Sequence, residues 1–464
     1  MKKLLICLNK TALSHTQLID EKLLKSLSTK YRIYILSPYK LKLDNRIERY
    51  IYKKHQFSDK QKTNFLSKFL YLYKSVKYNT TFRLKNNSTI YDFYKIHLKQ
   101  LFLKRKYLSY VAFILIQFLI RFKTILKIFN KFEAILIENK ELSKIINQIN
   151  PNIVIITSPG WWNPDDIYLS SINKLNIKTL CMILSWDQPT GMGMVSNKCS
   201  KYLVWSDQVK IDLNNYHKIN KNLIHVIGAI HWSHYFDRKI INNNDPIKNI
   251  LICLKSPTRT RIADTLRMIK KIRTLNIKYK FKIKIRPHPI YYSKRYIEDL
   301  EKLNSLEKKF GNIQISNIYG NKPIKKYLTN EKSLDLNFII NNEKYYRNVL
   351  YNHLNNSDLI INFFSTINIE ASLINIPIIN FVDEEINKVL TSYSDKKNLR
   401  MDENQIHVKR IKKKISTCYN YQELEKKINF FFEDMSKEAS NRNKFAKEET
   451  NLIDNPIEKI LNLI

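Results

Sequence analysis

Glycine is scarce in this chain, with six in 464 residues, while Lys, Ile, Asn, Tyr and Phe abound. That balance follows a drift toward A- and T-rich codons, so much of it carries no chemistry. Cysteine is sparse as well. Cys7, Cys181, Cys199, Cys253 and Cys418 are scattered, odd in number and mostly set in apolar strand-like runs. With no CxxC pair and no Cys/His cluster, neither a disulfide framework nor a zinc site is expected. Acidic residues are outnumbered, 41 against 80 Lys and Arg, giving a formal net charge of +39. Codon drift does not account for this, because it permits Asp and Glu codons too. A field of that sign draws nucleotide diphosphates, nucleic acid or the anionic face of a membrane. Nucleic acid is set aside, since no zinc pattern, helix-turn-helix or RNP-like motif accompanies the charge.

Long apolar runs are also missing. The most apolar stretch, residues 107–120, is fourteen residues long, short of the ~20 a spanning helix needs. Beyond it Phe122, Ile125, Leu126 and Phe129 keep helical spacing, with Arg121, Lys123, Lys127 and Lys131 on other faces. Two readings stand: a core helix, and a basic amphipathic helix lying in an anionic interface. At the N-terminus, Met1-Lys-Lys-Leu-Leu-Ile-Cys-Leu8 starts like a signal peptide. Its apolar core is too short and no cleavage site follows, so it reads as a first buried strand of a cytoplasmic protein.

What is present is the alternation of strands and helices of an α/β protein. Leu4 to Leu8, a helix from about Ser14 to Leu27, and Arg32 to Leu36 form one βαβ unit, the opening of a Rossmann-like domain. From Lys40 to about Asn130 helical periodicity takes over, and a basic helical insertion is expected at about 40–130. Strands resume at Ile153 to Thr157, Thr179 to Leu184, Tyr202 to Trp205 and His225 to Ile227. Asn242-Asn-Asn-Asp-Pro246 is the linker candidate. Two Rossmann-like domains are therefore expected, 1–245 and 246–464, the second opening at Asn249 to Leu254 and ending in a charged helical tail. No internal repeat is visible beyond that duplication.

The densest functional signal is Ser357-Asp-Leu-Ile-Ile-Asn-Phe-Phe-Ser-Thr-Ile-Asn-Ile-Glu-Ala-Ser-Leu-Ile-Asn-Ile-Pro-Ile-Ile-Asn-Phe381. It reads as a strand (Leu359 to Asn362), a turn ending in Ser365-Thr366, a helix carrying Glu370, and a strand entered through Pro377. A hydroxyl pair at a helix start beyond a parallel strand suits phosphate, and Glu370 one turn on suits a ribose or sugar hydroxyl. Simple helix capping is the competing explanation. Upstream, the strand Tyr279-Lys-Phe-Lys-Ile-Lys-Ile-Arg-Pro-His-Pro289 ends abruptly. Its prolines stiffen the exit around Arg286, which can fork onto phosphate, and His288, which can donate to it or shuttle a proton.

At these residues the chain resembles GT-B-fold transferases of bacterial surface-carbohydrate synthesis, both nucleotide-sugar glycosyltransferases and CDP-glycerol glycerophosphotransferases. Leu184-Ser-Trp-Asp-Gln-Pro-Thr-Gly191, Tyr202-Leu-Val-Trp-Ser206 and Val226-Ile-Gly228 are similar to the acceptor-side half of that group. The likeness covers roughly residues 150–385. One departure is Asn375 where the group has Gly before the final Pro; Asn tolerates the left-handed conformation such a turn needs. Ser365-Thr366 and Glu370 stand where the glycerophosphotransferases tend to carry Ser-Ser and Asp, which points to a sugar donor.

The resemblance implies transfer from a nucleotide-sugar donor to a glycan or lipid-linked acceptor. Such transfer needs a stabilised diphosphate leaving group and a proton acceptor for the attacking hydroxyl. With no Asp-x-Asp at a strand end, no cofactor and no divalent metal are expected. Arg286, His288, Ser365 and Thr366 are the candidates for the first task, with Lys255 and Arg259 from the loop Lys255-Ser-Pro-Thr-Arg259-Thr-Arg261. A solvated, capped surface helix is the competing explanation for that loop. For the base, Asp187 stands before the turn-rich Gln-Pro-Thr-Gly-Met-Gly segment; Asp165, Asp166 and His15 are the alternatives. Asp165 and Asp166 also suit a helix start, and Trp161 with Trp162 suits sugar stacking or burial. A retaining reaction needs no such base. A UDP-sugar 2-epimerase and a non-catalytic GT-B-like scaffold remain alternatives, the latter because glycine is scarce in the donor loops.

Overall fold

A computed structural model of the chain describes residues 1–9, 17–57, 107–119, 139–157, 165–191, 198–235, 246–257, 260–317, 336–383, 406–451 and 455–464, with a few single positions between them. The chain divides into two compact units. The first comprises Met1–His231, Glu403–His407 and Ile453–Ile464; the second comprises Trp232–Asp402 and Val408–Leu452.

The first unit is built on seven strands: β1 (Lys2–Cys7), β2 (Tyr31–Ser37), β3 (Lys53–Gln56), β4 (Ile153–Thr157), β5 (Lys178–Met182), β6 (Lys201–Val204) and β7 (Ile224–Val226). They lie in the order β3-β2-β1-β4-β5-β6-β7, with every pairing parallel. In the central register Leu4 faces Ile33 on one side and Ile153 on the other. All-parallel strands are covered on both faces, so they read as apolar runs; all five residues of β4 are buried.

The covering helices begin where side chains satisfy their first amides. Asp20 accepts from Leu23 N–H at 3.0 Å to open α1 (Glu21–Ser28). The short α2 (Asn45–Glu48) follows, then α3 (Tyr107–Leu119), α4 (Lys140–Ile149), α5 (Asp165–Asn173), α6 (Gln188–Gly191) and α7 (Asp207–His217). Asn139 and Ser206 cap α4 and α7, and Asn150 ends α4 at φ 48°.

One expectation changes here. The stretch expected to be helical from Lys40 instead supplies β3, an edge strand of sequence Lys-Lys-His-Gln, too short and polar to show a period-2 pattern. Residues 58–106 of the expected insertion lie outside the described residues, as does most of the linker candidate. For the two readings of residues 107–120 the described side chains bear on one face only, because those of Ser109, Phe113, Ile116 and Gln117 are not described. None of the described side chains of α3 is buried, and Leu108 is 89% exposed.

The second unit carries β8 (Lys248–Cys253), β9 (Phe281–Arg286), β10 (Ile313–Ile315), β11 (Leu359–Asn362), β12 (Ile378–Phe381) and β13 (Thr417–Cys418). Its order, β10-β9-β8-β11-β12-β13, is again wholly parallel. This is the doubly wound pattern 3-2-1-4-5-6, whose strand order reverses between β8 and β11. Its helices are α8 (Ile262–Arg273), α9 (Ile297–Lys309), α10 (Leu336–Asn355), α11 (Ile367–Leu373), α12 (Ile406–Lys414, which begins in the first unit), α13 (Tyr421–Glu433) and α14 (Ala439–Thr450). The core joins Ile250, Ile252, Ile283, Ile285 and Ile361 of the strands to Ile269 of α8, Leu303 of α9 and Phe431 of α13.

Asn375 does take the left-handed conformation expected of it, at φ 56°. Its side chain does something glycine could not. Asn375 Oδ1 accepts from Nε of the buried Arg442 at 3.0 Å, while the same guanidinium donates to the carbonyls of Lys437 and Met435 at 2.7 and 3.0 Å. The turn is thereby tied to α14. The last helix, α15 (Pro456–Leu463), belongs to the first unit, where it packs on α1. Lys178 and Lys201 both donate to the Leu463 carbonyl, at 3.3 and 3.2 Å.

Candidate functional site

The carboxyl ends of β8, β9 and β11 bring together residues far apart in sequence. Arg286 closes β9. Its guanidinium donates to His353 Nδ1 on α10 at 3.0 Å, and Ser316 Oγ lies 3.1 Å from the same ring. His353 is pushed down to about 3, by burial first and then by the charges of Arg286 and Lys284. A neutral imidazole is what Arg286 needs as an acceptor, so the ring fixes the direction of the guanidinium. Burial lowers the Arg286 pKa, opposed by Cys253, Glu370, Tyr292 and Tyr235; an arginine stays charged regardless.

Glu370, on α11, is 8% exposed. Burial raises its pKa, countered by hydrogen bonds from Tyr235 and Trp232 and by the charges of Arg286 and Arg347. The Tyr235 hydroxyl donates to Oε2 at 2.6 Å. Among the described residues these two donors leave acceptor positions on a carboxylate that has about four. At the end of β8, the Cys253 thiol is pushed up to about 12, chiefly by burial, with Glu370 raising it further and Arg286 opposing. Next to it Lys255 is half-buried, its ammonium 5.8 Å from the ring centre of Phe363 in the loop after β11. Lys255, Arg286 and Glu370 thus sit around the switch point of the sheet, where open α/β sheets bind ligands.

The loop that leads into α11 is held open by amides. Phe364 sits at φ 57°, and its N–H donates to Asn380 Oδ1 at 2.9 Å. Asn380 and Asn368 exchange bonds of 2.8 and 3.1 Å, and Asn368 also donates to the Ser365 carbonyl at 2.9 Å. A non-glycine residue with positive φ costs energy, and the buried Asn368–Asn380 pair fixes it. The effect is to present Ser365 outward. Its hydroxyl donates to Asn362 Oδ1 at 2.8 Å and accepts from Ile367 N–H at 3.3 Å, while the half-exposed Thr366 makes no capping bond.

His288 lies two residues past β9. Its Nδ1 accepts from Ile290 N–H at 3.2 Å, capping the short 3-10 turn Pro289–Tyr292. That bond leaves Nε2 as the protonated nitrogen, a donor suited to an anion. Arg259 lies outside the described residues. Its neighbour Arg261 is forked onto Asp264 at 2.7 and 3.2 Å, in keeping with the surface-helix explanation of that loop.

Asp187 belongs to the first unit, just past β5. Ser185 Oγ donates to its Oδ1, and the loop around it is pinned from several directions. Gln17 donates to the Leu184 carbonyl at 2.6 Å, Leu184 N–H donates to Gln188 at 3.3 Å, and Thr190 pairs with His407 at 3.0 Å. The buried His217 accepts from Val195 N–H at 3.0 Å and donates to the Pro189 carbonyl at 2.8 Å; burial pushes its pKa down to about 4. Asp165 opens α5, but its side chain and that of Asp166 are not described; His15, Trp161 and Trp162 lie outside the described residues.

Tyr235, Trp232, His353 and Asn380 do not stand out in the sequence. Tyr235 is separated from Glu370 by 135 positions. The crowding of Ile-His-Trp-Ser-His-Tyr at 230–235 is the one local signal, and aromatic clusters of that kind are usually core.

No family model matches the chain, and no curated protein matches it. Solved structures do. A candidate UDP-N-acetylglucosamine 2-epimerase from Listeria monocytogenes aligns over 99% of this chain and 95% of its own, with TM-score 0.51 and 10% identity. S. aureus MnaA with UDP aligns over 100% of this chain and 95% of its own, with TM-score 0.50 and 9% identity. At such identities the likeness is one of fold. Together with the two parallel sheets, it makes this chain a two-unit, Rossmann-like protein of the GT-B fold.

Proposed function

We propose that the chain is a glycosyltransferase that takes its sugar from a nucleotide-sugar donor and passes it to a surface-glycan precursor. The observation that carries this reading is the buried Glu370 carboxylate, steadied by Tyr235 and Trp232 and set beside Arg286 at the switch point of the second unit. A buried acid with acceptor positions to spare suits the hydroxyl pair of a ribose. Neighbouring cations suit the diphosphate beside it. The S. aureus structure of the same fold holds UDP, which supports a uridine nucleotide as the first donor to test.

In this assignment Arg286, Lys255 and the Nε2–H of His288 stabilise the charge that builds on the leaving diphosphate, with Arg259, which lies outside the described residues, as a further cation; cationic side chains can perform that task without a metal. Thr366 offers a hydroxyl donor to the same oxygens, and Ser365 does so when its proton turns from Asn362 Oδ1. The acceptor hydroxyl attacks the anomeric carbon as the bond to the diphosphate breaks. In an inverting reaction Asp187 accepts the hydroxyl proton. Asp187→Asn is therefore expected to leave nucleotide binding unchanged and to cut acceptor-dependent turnover by ~100-fold or more. Titration calorimetry with UDP and a steady-state transfer assay separate the two effects. Unchanged turnover would assign the base elsewhere or point to a retaining reaction.

A nucleotide-sugar 2-epimerase is the second reading, favoured by the fold shared with the Listeria protein. Incubation with a UDP-sugar distinguishes them. A transferase holds its donor until an acceptor is added, whereas conversion of the donor sugar with no acceptor supports the epimerase.

A further inference from the structure

Most of the described apolar side chains of α3 form an exposed stripe. Tyr107, Leu108, Val111, Ile114, Leu115 and Phe118 are 43–89% exposed, and Phe122, just past the helix, is 50% exposed. At the angular step of an α-helix, those on α3 fall within an arc of roughly 120°. The half-buried Tyr110, Ala112 and Leu119 fall outside that arc. The exposed apolar side chains among the described ones thus share one face. A contiguous apolar face of this kind in water marks a surface that something covers.

The surrounding sequence says what. Between Asp92 and Glu133 there is no acidic residue, while nine Lys and Arg occur: Lys95, Lys99, Lys104, Arg105, Lys106, Arg121, Lys123, Lys127 and Lys131. Three of them directly precede α3 and two follow within four residues of its end. Apolar side chains bracketed by cations match a bilayer surface whose headgroups are anionic and whose acyl region begins just beneath. A second copy of the chain fits poorly, because the same cations would face one another. Over its described residues α3 is too short to span a bilayer. Its thirteen residues cover only ~20 Å of a ~30 Å hydrocarbon core, and no described helix is long and apolar enough to cross a membrane.

We propose that α3 is a monotopic anchor that lays its Leu108–Val111–Leu115–Phe118 face into an anionic membrane surface. It goes beyond the transfer reading and stands independently of it.

The test uses the full chain and vesicles of phosphatidylcholine with or without about one-third phosphatidylglycerol. Sedimentation should show binding to the anionic vesicles only, weakening as salt shortens the Debye length from ~10 Å at 0.1 M. The double variant Leu115→Asp/Phe118→Asp should bind at least about tenfold more weakly, with an unchanged thermal melt because both positions are exposed. Phe118→Trp, on the otherwise intact chain, should add an indole emission, read against wild type, that shifts to shorter wavelength on vesicle addition. Binding that the double variant retains in full, or an added emission in Phe118→Trp that does not move, overturns the proposal. So does a lipid-free dimer that Leu115→Asp/Phe118→Asp dissociates, since that would make a second copy the occupant.

Discussion

Glu370→Gln is expected to lower kcat/KM for sugar transfer by ~100-fold or more while leaving the protein folded. The glutamine carbonyl can still accept from the Tyr235 hydroxyl, which now bonds Glu370 Oε2 at 2.6 Å. What disappears is the charge. A ribose hydroxyl then loses a charge-assisted bond, and such bonds are roughly twice as strong as neutral ones. A ~100-fold loss corresponds to about 3 kcal/mol of transition-state stabilisation. Glu370→Ala should behave differently. It leaves Tyr235, 5% exposed, and Trp232, 2% exposed, without their acceptor, so it should lose stability as well as activity. Steady-state kinetics alongside thermal unfolding of both variants checks the contrast. If Glu370→Gln unfolds as easily as Glu370→Ala, the carboxylate is a structural charge and the nucleotide assignment loses its main support.

The second large effect is on acid stability. His217 is fully buried with its pKa pushed down to about 4 from 6.5. Its neutral ring is required, because Nδ1 accepts from Val195 N–H while Nε2–H donates to the Pro189 carbonyl. A histidine whose folded pKa is depressed binds fewer protons in the native than in the unfolded state. The stability it contributes is complete above pH 6.5 and is lost as the pH falls through about 4. The loss amounts to about 3 kcal/mol over that window. His353, pushed down to about 3, adds a loss of the same sign, reduced by its partial exposure. Glu370, with its pKa raised, acts in the opposite sense and favours the fold as pH falls. The clean observable is a difference. Urea unfolding of wild type and His217→Gln at pH 7.5 and 4.5 should show a markedly smaller pH effect in the variant. Parallel pH profiles would place the buried neutral histidine elsewhere.

The parts of the fold that can be read from sequence share one property. Strands buried on both faces, such as Ile153–Thr157 and Leu359–Asn362, are uninterrupted apolar runs, and their pattern locates them to within a residue or two. Edge strands are not. Lys53–Gln56 is wholly polar and Thr417–Cys418 is two residues long, so neither carries a pattern of its own. They exist because a neighbouring strand offers them partners. The same distinction runs through the candidate site. Arg286 and Glu370 are announced by local context, a Pro-flanked strand end and a helix start. Their partners Tyr235, Trp232 and His353 are chosen by the tertiary fold, and nothing local singles them out. Asn375 shows the reverse case. Its left-handed turn is predictable from residue type, but the bond to Arg442, 67 positions away, is not. For α3, composition alone leaves the choice between core and interface open, and the structure adds an exposed apolar face that the sequence does not single out.

Our proposal places a nucleotide diphosphate at Glu370 and Arg286 of the second unit. The most direct test is a thermal-shift panel of UDP, GDP, CDP, CMP and their sugar or glycerol conjugates on wild type and Glu370→Gln. A ligand at a hundred times its Kd stabilises the folded state by about 2.7 kcal/mol, well within reach of the method. The prediction is a rise in Tm with UDP or a UDP-sugar that the variant loses. A rise with CDP-glycerol alone would make the chain a glycerophosphotransferase, and no rise with any nucleotide would contradict the claim and leave a GT-B-like scaffold.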